Sequence, residues 1–191
     1  MLARVSHLES FRRWREDEDQ TADDLVRFIT VDEPSEAMQA GTAFHKALEL
    51  ASEGTHATLS ANGYTFHLSD PGIVELPSIR ELRAYGRYGG LDVTGQVDGL
   101  HGRIIIDHKT TKRCDPERYL AGCQWKYYLD IFGADVFRWH IFEIKEIAPL
   151  EYDVAQPQLL TAYRYPEMRA YCERLAGDYL EFANRFLREA A

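Results

Sequence analysis

Residues 95–110, Gly-Gln-Val-Asp-Gly-Leu-His-Gly-Arg-Ile-Ile-Ile-Asp-His-Lys-Thr, constrain the fold more than any other part of the chain. They read as a tight β-hairpin with an aspartate on one arm and Asp-x-Lys on the other. His101–Gly102 serves as a two-residue turn, because glycine supplies the positive φ such turns need. That turn sets Leu100 against Arg103, Asp98 against Ile105 and Gln96 against Asp107. Side chains alternate with period two, so Asp98, Asp107 and Lys109 are expected on one face, with the two aspartates diagonal neighbours roughly 7–8 Å apart. A turn one residue longer would reverse the face of Asp98. Ile104–Ile106 mark the second arm as buried on at least one side, and a charged pair ending such a strand needs a partner.

Two carboxylates and an ammonium on one patch suit metal-assisted phosphodiester hydrolysis. The carboxylates hold a hard divalent cation that lowers the pKa of bound water, and the lysine orients the water or offsets charge on phosphorus. The alternative is an exposed ion pair worth less than ~1 kcal/mol, without function.

Two helical patterns add candidates. In Gly-Thr-Ala-Phe-His-Lys-Ala-Leu-Glu (41–49), His45 and Glu49 share a face beside the apolar stripe Phe44, Ala47, Leu48 and Ala51. His45 is either a further metal ligand with Glu49 supporting it, or a histidine satisfied by a neighbouring acid. Residues 116–132 read as one helix, with Asp115 as N-cap and Pro116 in the first turn. Gln124 and Tyr128 project from it together, as functional groups or as core.

The ordered set G-x-x-x-H-x-x-x-E, G-x-V-D-G, I-D-x-K-T-T and Q-x-x-x-Y over roughly residues 41–142 resembles the PD-(D/E)XK nuclease superfamily. Its RecB-type and phage recombination exonuclease branch is the most similar. The resemblance implies His45, Asp98, Asp107 and the main-chain carbonyl of His108 as metal ligands, with Lys109 catalytic. It implies that Gln124 and Tyr128 lie beside the active site. Val97 stands where the superfamily's proline would be, and the acid before x-Lys is Asp107 where glutamate is commoner. The implied activity is that of a metal-dependent deoxyribonuclease, an exonuclease of phage or bacterial DNA recombination and repair. The alternative is a catalytically idle module that keeps the fold to bind nucleic acid or assemble. Magnesium or manganese would serve, and an imidazole in the ligand set tilts the site to manganese. An iron–sulfur cluster needs four cysteines, whereas Cys114, Cys123 and Cys172 are three and unclustered. None is expected.

The net charge of −9 opposes general affinity for nucleic acid. Part of it is local to Glu16–Asp19 and Asp23–Asp24, whereas Lys112, Arg113 and Lys126 follow the Asp-x-Lys strand and are expected to meet DNA. Arg12, Arg13 and Arg15, beside Phe11 and Trp14, are read as a solvated helix face or a DNA contact. The expected partners are DNA, with linear ends, and a recombination protein such as a single-strand annealing protein. A homo-oligomer would add grip. No apolar run reaches the ~20 residues of a membrane span and no secretory signal is visible. Separated cysteines fit a reducing compartment, so a cytoplasmic setting is expected.

At 191 residues a single domain is expected: N-terminal helices over 1–54, a core over 73–146 and C-terminal helices over 157–190, interrupted near Pro166. Asn62–Gly63 and Pro71–Gly72 mark a hairpin-like insertion before the core. Strands over 79–88 and 91–100, turning at Gly89–Gly90, join 103–108 in an antiparallel three-strand meander. A helix then leads to a strand over 136–146, which should lie parallel in the same sheet. The fold class is α/β, an α+β mixed sheet flanked by helices, matching the restriction-endonuclease-like core of the resemblance.

Overall fold

The computed structural model describes residues 1–31, 33–52, 54–74 and 77–187, with backbone alone for 70–74. Strand β1 (Leu2–Arg4) leads into helices α1 (Val5–Glu16), α2 (Ala22–Thr30) and α3 (Glu36–Leu50). Strands β2 (Gly54–Ala61), β3 (Tyr64–Val74), β4 (Ile79–Tyr88), β5 (Leu91–His101) and β6 (Ile104–Thr111) follow. After them come α4 (Pro116–Ala121), α5 (Gln124–Ile131), β7 (Val136–Ala148), β8 (Glu151–Val154), β9 (Gln158–Tyr163) and α6 (Met168–Phe186). Among the described residues the strands form one mixed sheet in the order β1-β5-β6-β7-β8-β3-β2, with β4 also pairing β5 and β9 also pairing β7.

The meander and the parallel strand stand as expected: β4–β5 and β5–β6 are antiparallel, and β6–β7 is parallel. Three helical expectations change. The stretch from about residue 6 to residue 28, expected as helical throughout, breaks at 17–21, where Thr21 caps α2 in a reciprocal box with Asp24. The 116–132 helix is two helices, because the Glu9 carboxylate sits at the break and accepts from the amides of Cys123 (2.6 Å) and Gln124 (3.3 Å). Residues 158–163, expected as helix, are a strand against β7. There Leu160 and Ala162 turn inward, while Leu159 and Tyr163 are exposed.

Two apolar layers flank the sheet. On one face α1, α5 and α6 pack over Val93, Val97, Ile105, Phe137, Trp139 and Ile141. On the other, α3 sets Ala43, Phe44, Ala47 and Leu48 against Phe66 of β3 and Phe142 of β7, with Phe44 edge-on to both rings (5.1 and 4.9 Å). Ser35 caps α3 by accepting from the Met38 amide. A Cβ on Gly41 would stand 3.0 Å from Thr110 Oγ1, which marks how closely this helix meets β6.

The hairpin turn lies one residue later than expected. Gly99 pairs Ile106, Leu100 pairs Ile105 and His101 pairs Ile104, so the turn is Gly102–Arg103, with Gly102 at φ +58°. Continued one step, this register sets Asp98 opposite Asp107, not diagonal to it. The ladder ends before that step. Along this edge of β5, β1 pairs residues 92–94 and β6 pairs 99–101. The interval 95–98 is a fork in the sheet.

Candidate functional site

Asp98 fills the fork. Its Oδ2 accepts from the backbone amide of His108 (2.7 Å), replacing the ladder bond that the parting strands forgo. The same oxygen lies 3.4 Å from Nδ1 of His45 on α3 and 3.7 Å from Nδ1 of His108. Asp107, 2% exposed, accepts from Lys109 Nζ through Oδ1 (3.0 Å). Its buried Oδ2 stands 2.9 Å from the same amine but accepts no hydrogen bond. The two carboxylates thus carry different partners, Asp98 with His45 and Asp107 with Lys109.

Burial works against every charge here, and the neighbours decide which survive. It resists ionisation of Asp98, but the adjoining His45, with Lys109 and His108 beyond, holds that carboxyl well below the usual range. It also opposes an imidazolium at His45, yet Asp98 more than offsets it and the pKa is raised. Burial pushes Asp107 up to about 6, against the pull of Lys109 and with the help of the Asp98 charge. Lys109 is desolvated too, but Asp107 and Asp98 keep it above its ordinary value, so it stands as an ammonium. Burial lowers His108 to about 3. Its ring is neutral and packs edge-on to His45 and His140 (6.3 and 5.5 Å).

These groups open onto a cleft of about 680 Å³ lined by His45, Lys46, Glu49, Asp98, Lys109 and Arg118, among others. Beneath it a recess of about 20 Å³ touches His45, Asp98, His108, Arg80 and Glu81, with room for about one water-sized body. Glu49 is on the cleft wall, its carboxylate held by Lys46 Nζ (2.8 Å). Gln124 donates to the Tyr128 hydroxyl (3.2 Å), and Tyr128 is close enough to feel the charges of Asp107 and Lys109. Its ring lies directly over Gly95, where a Cβ would stand 2.5 Å from Tyr128 Cε1. A Cβ on Gly99 would meet Pro77 at 2.3 Å. Both glycines of Gly-Gln-Val-Asp-Gly are thus needed for close approach beside Asp98.

Two basic groups take other places. Lys126 donates to the Gly122 carbonyl and lies over the Tyr171 ring (4.4 Å), so it belongs to α5–α6 packing and does not line the cleft. Arg12 is buried against Glu9, Arg13 pairs the same glutamate and Arg15 pairs Asp178. Arg12 is thus part of a buried ion network, whereas Arg13 and Arg15 stay on the exposed helix face with acidic partners. Lys112 and Arg113 are exposed just beyond β6, outside the cleft lining. Sequence reasoning missed Arg80, Glu81 and Arg118. Arg118 was legible as a charge in the first turns of the Pro116 helix. Glu81 was not, because its place depends on a positive φ of 52° within β4.

Among the described residues no three His, Cys, Asp or Glu side chains form a ready-made cation cage. The donor set nonetheless fits a hard divalent ion: two aspartates, one with a buried oxygen lacking a hydrogen bond, an imidazole and an ion-sized recess. Among the described residues no helix is long and apolar enough to cross a membrane.

No protein-family model matches the sequence, and no curated protein matches it. Solved structures do. SSO0001 superposes with a TM-score of 0.55 at 17% identity, over 94% of this chain and 75% of that one. A Eubacterium rectale protein provisionally assigned as an exonuclease gives 0.55 at 10% identity, over 96% and 80%. A phage-related exonuclease from Haemophilus somnus 129PT gives 0.55 at 12% identity, over 100% and 97%. At these identities the likeness is one of fold. The mixed sheet flanked by helices, expected from the sequence, is thus a fold shared with these solved structures.

Proposed function

We propose that this chain is a metal-dependent nuclease that hydrolyses phosphodiester bonds in DNA, with an exonuclease of phage or bacterial recombination and repair as its closest description. One observation carries the reading: a sheet fork and one helix bring Asp98, Lys109 and His45 to one cleft, with Asp107 buried beside Lys109 and close enough to feel the charges of Asp98 and His45. The fold shared with a phage-related exonuclease supports it.

Asp98, Asp107, His45 and the His108 carbonyl would hold Mg²⁺ or Mn²⁺, which would supply an acidified water and screen the phosphate. Asp98, kept ionised by its surroundings, is ready to bind a cation without first losing a proton. Lys109, already an ammonium, cannot take a proton from water. Its part is to donate: to orient the nucleophile or offset charge growing on phosphorus. Tyr128, held by Gln124, lies near enough to Lys109 to feel its charge, and Arg118 and Lys46 give the cleft a cationic lip for the phosphate chain.

The test is end-labelled linear and closed circular DNA incubated with the protein and Mn²⁺ or Mg²⁺. Loss of the linear form alone is expected of an end-dependent enzyme. Cleavage at the wild-type rate by Asp107→Asn or Lys109→Ala would end the assignment. The idle-module reading, favoured by the net charge of −9, predicts no cleavage and no Mn²⁺ binding that depends on Asp98 and Asp107.

A further inference from the structure

The helices of the first apolar layer cover only one side of the β4–β5 ribbon. That side carries Ala84, Gly86 and Tyr88 of β4 and Val93, Gly95 and Val97 of β5, under α1, α5 and α6. Residues 83, 85 and 87 point the other way, beside their cross-strand partners Gln96, Thr94 and Asp92. α3 packs mainly on β2, β3 and β6 and meets this second face at Arg80, by the carbonyls at its C-terminal end.

Its side chains are unusual for solvent. Tyr85 is 65% exposed between the exposed Arg83 and Arg87. Arg87 is neutralised by Asp92 (2.9 Å). Among the described residues Arg83 donates to the neutral Gln96 side-chain carbonyl. Arg80 donates to the carbonyls of Glu49 and Ala51. Among the described residues these two guanidinium groups have no carboxylate partner on this face, in a chain of net charge −9. Glu81 is nearby, and it takes the Gln96 amide. From Arg83 these contacts run in a line through Gln96 and Glu81 to the recess that Glu81 and Arg80 share with Asp98 and His45, and Tyr85 stands two residues beyond Arg83 on the same strand face.

We propose that this second face is a track for single-stranded nucleic acid, with Tyr85 stacking a base and Arg83 and Arg80 holding phosphates on the way to the cleft. An exposed aromatic ring among unneutralised arginines is the pattern by which single strands are gripped without sequence preference. A duplex, whose bases are already stacked, has no use for the ring. Charge complementarity and continuity with the cleft select this occupant over an apolar protein surface. The proposal rests on the nuclease reading, and it names the substrate strand and its path.

The binding test is kept separate from catalysis. Fluorescence anisotropy follows a short dye-labelled oligothymidylate, and its duplex counterpart, on the full chain in EDTA, where no cleavage occurs. The oligothymidylate is expected to bind more tightly than the duplex. Tyr85→Ala should weaken it about fivefold or more, and Tyr85→Phe should restore it. Arg83→Ala should reduce the dependence of log affinity on log salt by about 0.7, the share of one phosphate on a single strand. Undiminished binding by Tyr85→Ala with a native circular dichroism spectrum would overturn the proposal, as would preference for the duplex. So would sedimentation showing a dimer that Tyr85→Ala dissolves, since the face would then belong to a second copy. Wild-type hydrolysis of bis(p-nitrophenyl) phosphate with Mn²⁺, measured in parallel, tests the nuclease reading alone.

Discussion

Glu9 is a buried acid whose removal should be felt across the junction of α1 with α5. Its Oε1 accepts from Arg12 and Arg13, each at 2.9 Å, while Oε2 accepts from the amides of Cys123 and Gln124. Glu9→Gln keeps the shape and removes the charge. Arg12, 7% exposed and already without a partner for Nε, is then left with Glu16, which is mostly in solvent. Breaking a buried hydrogen-bonded pair costs about 3–5 kcal/mol. Arg13 is half exposed and adds little. In a chain of this length the melting temperature should fall by about 6–20 °C. Arg12→Met in the same chain should recover much of that loss, since the stranded cation goes with it.

The pH dependence has a defined sign. Burial pushes the Glu9 carboxyl up, but Arg12, the Cys123 amide and Arg13 together hold it below its ordinary value. The native state therefore binds the proton less readily than the unfolded chain. The stabilisation is fully present above the ordinary carboxylate range and is lost as pH falls through the depressed native value. Melts of wild type and Glu9→Gln should differ most near neutrality and converge below about pH 4. A difference under about 1 kcal/mol at neutral pH, or one that widens on acidification, would refute this account.

Other outcomes follow from the site. Asp107→Asn and Lys109→Ala should each abolish metal-dependent cleavage of linear DNA on a denaturing gel, and Asp107→Asn should also lower the melting temperature, because it takes from the buried Lys109 ammonium the carboxylate that holds its charge. Saturating Mn²⁺ should raise the wild-type melting point, with about 2.7 kcal/mol gained at a hundred times the dissociation constant. Asp98→Asn with Asp107→Asn should erase that rise, and its persistence would place the ion elsewhere. Gly95→Ala, forced against Tyr128 Cε1 and Val5 Cγ2, should cost about 1–3 kcal/mol in urea titration. Cleavage should fall with it, because Tyr128 cannot keep its place beside Lys109. Gly86→Ala meets Tyr88 at 2.7 Å and should lose stability alone.

What could be read in the sequence was whatever depends on neighbours along the chain. The alternation in 79–88, the Gly89–Gly90 turn and the parallel return through 136–146 emerge directly from periodicity and loop length. The strand at 158–163 is six residues long and stands close to Pro157 and Pro166, too short for its alternation to outweigh the helical pattern that follows. Glu9 was hidden for a different reason. Within Glu-Ser-Phe-Arg-Arg-Trp-Arg it looks like one more solvated i,i+4 partner, and its decisive contact is 114 residues away. Lys126 misled in the opposite sense, since a lysine near a catalytic strand in sequence can still serve the far side of its own helix.

The displaced hairpin turn shows why the candidate site was legible despite a wrong register. Moving a two-residue turn from His101–Gly102 to Gly102–Arg103 keeps the loop length, so Asp98 is moved from the diagonal of Asp107 to the place opposite it. What no local pattern encodes is the fork. It arises because β1, from the start of the chain, takes the edge of β5 up to Thr94, while pairing with β6 begins only at Gly99. That gap turns Asp98 from a ladder residue into an acceptor for the His108 amide beside His45. The motif supplied the residues, and a three-residue strand at the N-terminus supplies the opening through which they meet.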